Sequence, residues 1–225
     1  MTILIVVPQG AEFKAIMDGL NKSQSKSILP VLAIPAGSAV KAFLEQESDR
    51  FGGVIRVIVL GLCGALTNDA VIGQIGCYNR CRGRSGNEYQ CDRLDIGYEF
   101  ASWNAVMTDR VITKATDKQL LNAETNCDVV DMESVWILEF MQQRGIRVSV
   151  VRVASDAVVG DLPDLSQVFD LNGALKPMAL AQAFVMRPIA ALRLIRGSIL
   201  GLRQLTRCAT MIQDRFNLEQ LHPGK

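Results

Sequence analysis

The segment Val54-Ile55-Arg56-Val57-Ile58-Val59-Leu60 limits what this chain can fold into more than any other. Its apolar residues follow one another almost without a break, whereas a strand with one wet face alternates apolar with polar. A strand of this kind is covered on both faces and belongs inside a sheet flanked by helices. Further β-branched runs at Ile3–Val7, Val31–Ile34, Ala70–Tyr78, Ala105–Ile112 and Val148–Val153 predict the remaining strands. Between them, helical patterns are predicted over Ala36–Glu47 and over Met132–Arg144, where Gly145 supplies a stop. This alternation predicts an α/β fold with a central mixed or parallel sheet. The 225 residues fit one domain, 1–225, with a core over about 1–165 and a C-terminal helical extension over about 166–215.

Charge and cysteine usage exclude several classes. A formal net charge of +1 gives no global electrostatic case for nucleic acid. No uninterrupted apolar run reaches the roughly 18 residues of a membrane-spanning helix. The opening Met1-Thr2-Ile3-Leu4-Ile5 lacks a basic leader and reads as a buried strand, so a cytoplasmic location is expected. The six cysteines are then expected to stay reduced. Cys77, Cys81 and Cys91 cluster too loosely for a zinc site, and the single histidine, His222, lies far away, so no metal is expected. The polar, arginine-containing stretch 79–104 reads as an exposed loop or hairpin whose Arg80, Arg82 and Arg84 either face solvent or bind an anion.

From Pro188 a helical pattern runs from Ile189 to about Thr206. Arg193, Arg196, Arg203 and Arg207 fall within a stripe about 80° wide, and Leu192, Ile195, Ile199 and Leu202 occupy a neighbouring face. Two readings stand: a helix packed on the domain with its arginines in water, or a basic amphipathic helix giving peripheral contact with an anionic membrane.

Three segments place a carboxylate at the end of a strand, where open α/β sheets bind ligands. In Pro8-Gln9-Gly10-Ala11-Glu12, Glu12 is either a first-turn acid favoured by the helix dipole or a group delivered to the sheet edge. In Val129-Val130-Asp131-Met132-Glu133-Ser134, Asp131 suits a helix cap, and Glu133 either answers the same dipole or accepts hydrogen bonds from vicinal hydroxyls such as a ribose offers. In Val151-Arg152-Val153-Ala154-Ser155-Asp156, Asp156 leaves an apolar strand, and partial burial would let it hold a proton.

Taken in order, these pieces resemble the nucleoside phosphorylase/nucleosidase family. Val130-Asp131-Met132-Glu133-Ser134 with Ser155-Asp156 is similar to its paired signature. Gly61-Leu62-Cys63-Gly64-Ala65-Leu66 is similar to its Gly-rich segment, and Thr108-Asp109-Arg110-Val111-Ile112 with Lys118 resembles the stretch before the signature. Asp161-Leu162-Pro163, Asp170-Leu171-Asn172-Gly173 and Arg187-Pro188 resemble the hopanoid-associated phosphorylase branch, related to the methylthioadenosine/S-adenosylhomocysteine nucleosidases.

The resemblance implies cleavage of a purine nucleoside's N-glycosidic bond. Asp156 would protonate purine N7, Glu12 would activate water, Glu133 would hold the ribose hydroxyls, and Met132 would pack on the sugar. Ser155, Cys63 and Gly64 would line the ligand, with Gly64 allowing close approach. It implies no cofactor, phosphate as an alternative co-substrate, a small-molecule nucleoside partner and a homo-oligomer. The strand ending Val59-Leu60-Gly61 lacks the arginine with which family phosphorylases hold phosphate, which favours hydrolysis. A catalytically weak nucleoside-sensing protein is the alternative of another class. A dinucleotide-binding domain fits the strand alternation but lacks G-x-G-x-x-G after the first strand.

Overall fold

The computed structural model describes residues 2–24, 27–165, 168 and 176–221. His222 and the Asp170–Gly173 segment lie outside them.

Three parallel neighbours, β2 (Val31–Ile34), β1 (Thr2–Pro8) and β3 (Val54–Ala65), begin the sheet in that spatial order. Consecutive residues Val57 to Gly61 of β3 are buried, as their continuous apolar character requires. Alternate side chains feed opposite cores. Val57, Val59 and Cys63 join Val40, Leu44, Leu138 and Met141 of α2 (Ala39–Gln46) and α4 (Ser134–Gln142). Ile58 and Leu60 join Ile16 and Leu20 of α1 (Ala11–Lys22), and Leu205, Cys208 and Ile212 of α6 (Pro188–Leu221).

Beyond β3 the sheet curls. β8 (Arg147–Asp156) runs parallel to β3, and β4 (Ile75–Arg82) pairs with β8. Next come β6 (Ala101–Met107) beside β4, then β7 (Val129–Asp131), which returns to pair with β3 at Gly64 and Ala65. The pairings β3–β8–β4–β6–β7–β3 therefore close a ring, which crowds the ends of β3, β7 and β8 together. The short β5 (Glu88–Gln90) extends β4 as a hairpin.

Several boundaries differ from the sequence reading. The strand expected from Ala70 begins only at Ile75, because Val71 to Gly73 form a turn whose Gly73 has φ 83° and donates to the Ala154 carbonyl. The strand expected over Ala105–Ile112 is shifted towards the N-terminus and stops at Met107; polar Thr108, Asp109 and Arg110 then leave the sheet. Segment 79–104, read as an exposed loop or hairpin, is a hairpin as far as Gln90, with Arg80 and Arg82 inside β4; residues 91–100 are irregular and 101–104 belong to β6. Two helices were not singled out: α3 (Ala115–Thr125), which carries little apolar periodicity, and α1, which buries Ala15, Ile16 and Leu20 on one face.

The helix expected from Ile189 to Thr206 extends to Leu221. It packs with a face other than the leucine-rich one. Ala190, Ala191, Gly197 and Gly201 are buried, whereas Leu192, Ile195 and Ile199 are exposed. Gly197 sits so close to β8 that a Cβ there would overlap the carbonyl oxygen of Ser155. The preceding helix, α5 (Pro177–Met186), rests on α6 and has no buried residue.

Candidate active site

The ring closure brings three strand ends to one place. Gly64 of β3 pairs laterally with Val130 of β7 and with Asp156 of β8. The β3–β8 register slips between Cys63 and Gly64, which leaves Ser155 as the extra residue of a bulge. Bulges re-aim the residues that follow them. Asp156, the last residue of β8, thus meets the Gly64–Ala65 backbone: Ala65 N–H donates to Asp156 Oδ1 at 3.0 Å. A Cβ on Gly64 would stand 3.2 Å from that oxygen and 3.2 Å from Val130 Cγ1, so glycine allows the approach.

Asp156 has a second partner on the same oxygen. Lys118 of α3 donates through Nζ to Oδ1 at 2.7 Å and to the Ala157 carbonyl at 2.9 Å, and its side chain is 1% exposed. Burial pushes the Asp156 carboxyl up from the ordinary carboxylate range, while the Lys118 charge and the Ala65 amide pull it down. Oδ2 is left as the oxygen available to a ligand.

Glu12 stands in the first turn of α1, after Gly10 at φ 92°. Its Oε1 accepts from Leu62 N–H at 2.6 Å, which ties α1 to the far end of β3. Burial of the carboxyl group raises its pKa to about 7; Arg152 opposes that rise, and Glu133 and Asp131 add to it. Glu133 precedes α4, is 6% exposed and accepts from Gly37 N–H at 2.8 Å. Burial raises its pKa too, against the pull of Arg152. Asp131 plays the capping role expected of it: Oδ1 accepts from Ser134 N–H at 3.3 Å, and the Ser134 hydroxyl donates to Oδ2.

All these acids surround one cation. Arg152, in the middle of β8, is fully buried; its Nη2 lies 3.2 Å from Asp131 Oδ2, 3.5 Å from Glu133 Oε2 and 3.2 Å from Ser134 Oγ. Burial works against its charge, but Asp131, Glu133 and Glu12 outweigh that and hold the guanidinium charged. Burial is the main reason Glu12 and Glu133 keep their protons more readily than in water, and one cation facing three carboxyls leaves neighbouring negative charge that adds to it.

A cavity of about 280 Å³ opens over this cluster. Glu12, Cys63, Gly64, Met132, Glu133, Ser155 and Asp156, the seven residues singled out from sequence, all line it. Ser155 donates to the Cys63 carbonyl at 3.2 Å and so fixes the bulge. The Cys63 thiol is buried with its pKa pushed up by burial, so it serves as an inert apolar wall. Two further hollows adjoin. One of about 310 Å³, mostly apolar, shares Asp156 and Leu162 and is bounded by Arg193, Arg196 and Leu200 of α6. The other, about 370 Å³, shares Met132 and Leu162 and reaches Arg187.

Arg152 and Lys118 are the residues to which the sequence reading gave no role. A buried arginine within an apolar strand demands paired acids. Four acids placed at strand ends demand cations in return, and that was the usable signal. Arg80, Arg82 and Arg84 do not line the cavity; Arg80 is held by Glu88 at 2.8 Å, and Arg84 lies 4.0 Å from Asp109. Among the described residues no group of acids, histidines or cysteines is arranged to hold a metal ion.

No family model matches the chain, and no curated protein matches it by sequence. Its fold is nevertheless that of the purine nucleosidases with solved structures. The futalosine hydrolase of Helicobacter pylori strain 26695 superposes with a TM-score of 0.68 at 12% identity over 97% of this chain and 98% of that one. The Helicobacter pylori 5′-methylthioadenosine/S-adenosylhomocysteine nucleosidase, solved with butyl-thio-DADMe-Immucillin-A, gives 0.66 at 12% over 98% of each. The Arabidopsis thaliana 5′-methylthioadenosine nucleosidase gives 0.66 at 11% over 100% and 97%.

Proposed function

We propose that this chain is a nucleosidase that hydrolyses the N-glycosidic bond of a purine nucleoside, with adenine as the base. The observation that carries the reading is the shared cavity: Glu12, Glu133 and Asp156, from three distant segments, line a hollow of about 280 Å³. Asp156 Oδ2 donates a proton to purine N7, which turns a poor leaving group into a neutral base. The C1′–N9 bond breaks with oxocarbenium character at the sugar. Glu133 binds the 2′- and 3′-hydroxyls and Met132 packs on the ribose. Glu12, ionised above about pH 7, takes a proton from water as its oxygen bonds to C1′.

Hydrolysis suits the charges better than phosphorolysis. A phosphate dianion would have to sit beside Glu12 and Glu133, and Arg152 is already engaged by acids. Side chains carry the chemistry as proposed, and no cofactor enters it.

We propose the finer identity of the substrate from the adjoining hollows and the resemblance. The 5′ side of the sugar, beyond Met132, opens towards Leu162 and Arg187. A hopanoid-linked adenosyl substrate rests on the resemblance of Asp161-Leu162-Pro163 and not on that opening, half of whose lining residues are charged. A 5′-thioadenosine is the smaller alternative. A homo-oligomer with neighbouring subunits at the site belongs to the same reading. The test is to incubate the protein with a nucleoside panel, with and without phosphate, and identify the sugar. Free pentose at a phosphate-independent rate is expected; a pentose 1-phosphate would make the enzyme a phosphorylase.

A further inference from the structure

Helix α5 is a ten-residue helix without one charged residue and without one buried residue. Met178, Val185 and Met186 are 83%, 81% and 74% exposed. Water does not favour an apolar helix left open on this scale, and contiguous patches of this kind mark a surface that something covers. The patch continues onto α6, where Ile189, Leu192 and Ile199 are also exposed. At 100° per residue these α6 side chains share an arc of about 120° with Arg193, Arg196 and Arg203, opposite the small residues that pack on β8.

The charge on this face has one sign. From residue 176 to residue 213 the chain has six basic residues and no acidic one, although the whole protein carries only +1. Asp161, on the neighbouring loop, pairs with Arg187 at 3.5 Å; Arg196, Arg203 and Arg207 are exposed. A second copy of this chain is a poor occupant of this face, and the homo-oligomer of the proposed function uses another surface. A two-fold contact would press one row of arginines against its twin with no acid on the face to answer it. An occupant must be apolar and anionic together. No helix among the described residues is long and apolar enough to cross a bilayer, so the helices can only lie on one.

We propose that α5 and the N-terminal half of α6 dock the enzyme on an anionic lipid surface, with the apolar side chains in the acyl boundary and the arginines among the headgroups. Arg187, at the junction of the two helices, borders the hollow beyond Met132, and Arg193, Arg196 and Leu200 border the one beside Asp156. Docking therefore sets the hollow beside Asp156 next to the bilayer surface.

Sedimentation with vesicles tests this on the intact protein. Wild type is expected to sediment with phosphatidylcholine vesicles containing phosphatidylglycerol, to bind pure phosphatidylcholine far more weakly, and to detach as salt rises. Arg196→Gln with Arg203→Gln should weaken binding on the order of thirtyfold, since each arginine near such a surface contributes about fivefold. Val185→Glu with Ile189→Glu should abolish binding with the melting temperature unchanged. Three results would overturn the proposal: wild type left in the supernatant at low salt, equal binding by the glutamate variant, or equal binding to the two vesicle types. Concentration-dependent dimerisation of wild type that the glutamate variant loses would assign the face to a second copy instead.

Discussion

In the proposed reaction, Glu12 links chemistry to stability through one proton. Its pKa of about 7 in the folded chain exceeds the ordinary 4.5. A raised carboxyl favours folding while it is protonated, so its contribution is present below the unfolded value and is lost as pH rises from about 4.5 through about 7. The loss is at most about 3 kcal/mol. Glu12→Gln should therefore flatten the fall in denaturant midpoint between pH 5 and pH 8, at roughly those limits; an unchanged slope would mean that the group titrates normally. The same variant should lose turnover, and in wild type turnover should climb with pH across about 7, because the ionised form takes the proton. Lys118 is the second residue with a measurable consequence. Lys118→Met strands Asp156 without its buried cation, a change that costs about 3–5 kcal/mol in comparable pairs and should appear in urea unfolding at neutral pH. A loss below about 1 kcal/mol would mark the pair as solvent-screened. These partners were hard to read beforehand. The carboxylates announced themselves by their places beside strand ends, but the cations that balance them sit in an apolar strand and on a weakly patterned helix.

At the scale of elements, strands were legible where one run was apolar on successive residues, as in β3. Both boundary errors have a tertiary cause. β4 starts late because Gly73 and Gln74 hydrogen-bond to Ala154 of β8, a contact that no local pattern encodes. β6 stops early because Thr108 leaves the sheet to line the cavity. The Ser155 bulge was likewise invisible, since it arises from pairing and not from composition. α6 was foreseen, but not which face packs: the close crossing over β8 puts the small residues Gly197 and Gly201 against the sheet. Gly197→Val should test this. Its side chain would meet the Ser155 backbone, costing about 1–3 kcal/mol and reducing turnover by shifting the bulge that carries Asp156. A variant that melts and turns over as wild type would show that α6 does not buttress the site.

For the molecule as a whole, the ring of strands and the two cores make a rigid frame, and the chemistry sits where strand ends crowd together. The match to nucleosidase structures at about 12% identity shows how far sequence can drift while that frame stays. The central claim is that Asp156 and Glu12 act on the two sides of one glycosidic bond. Chromatographic measurement of free adenine released in phosphate-free buffer, by wild type, Asp156→Asn and Glu12→Gln, tests it most directly. Wild type should release adenine together with free pentose, and each variant should fall by about 10²–10⁴-fold with substrate binding little changed. Release by both variants within a few-fold of wild type, or none by wild type from any purine nucleoside, would contradict the account.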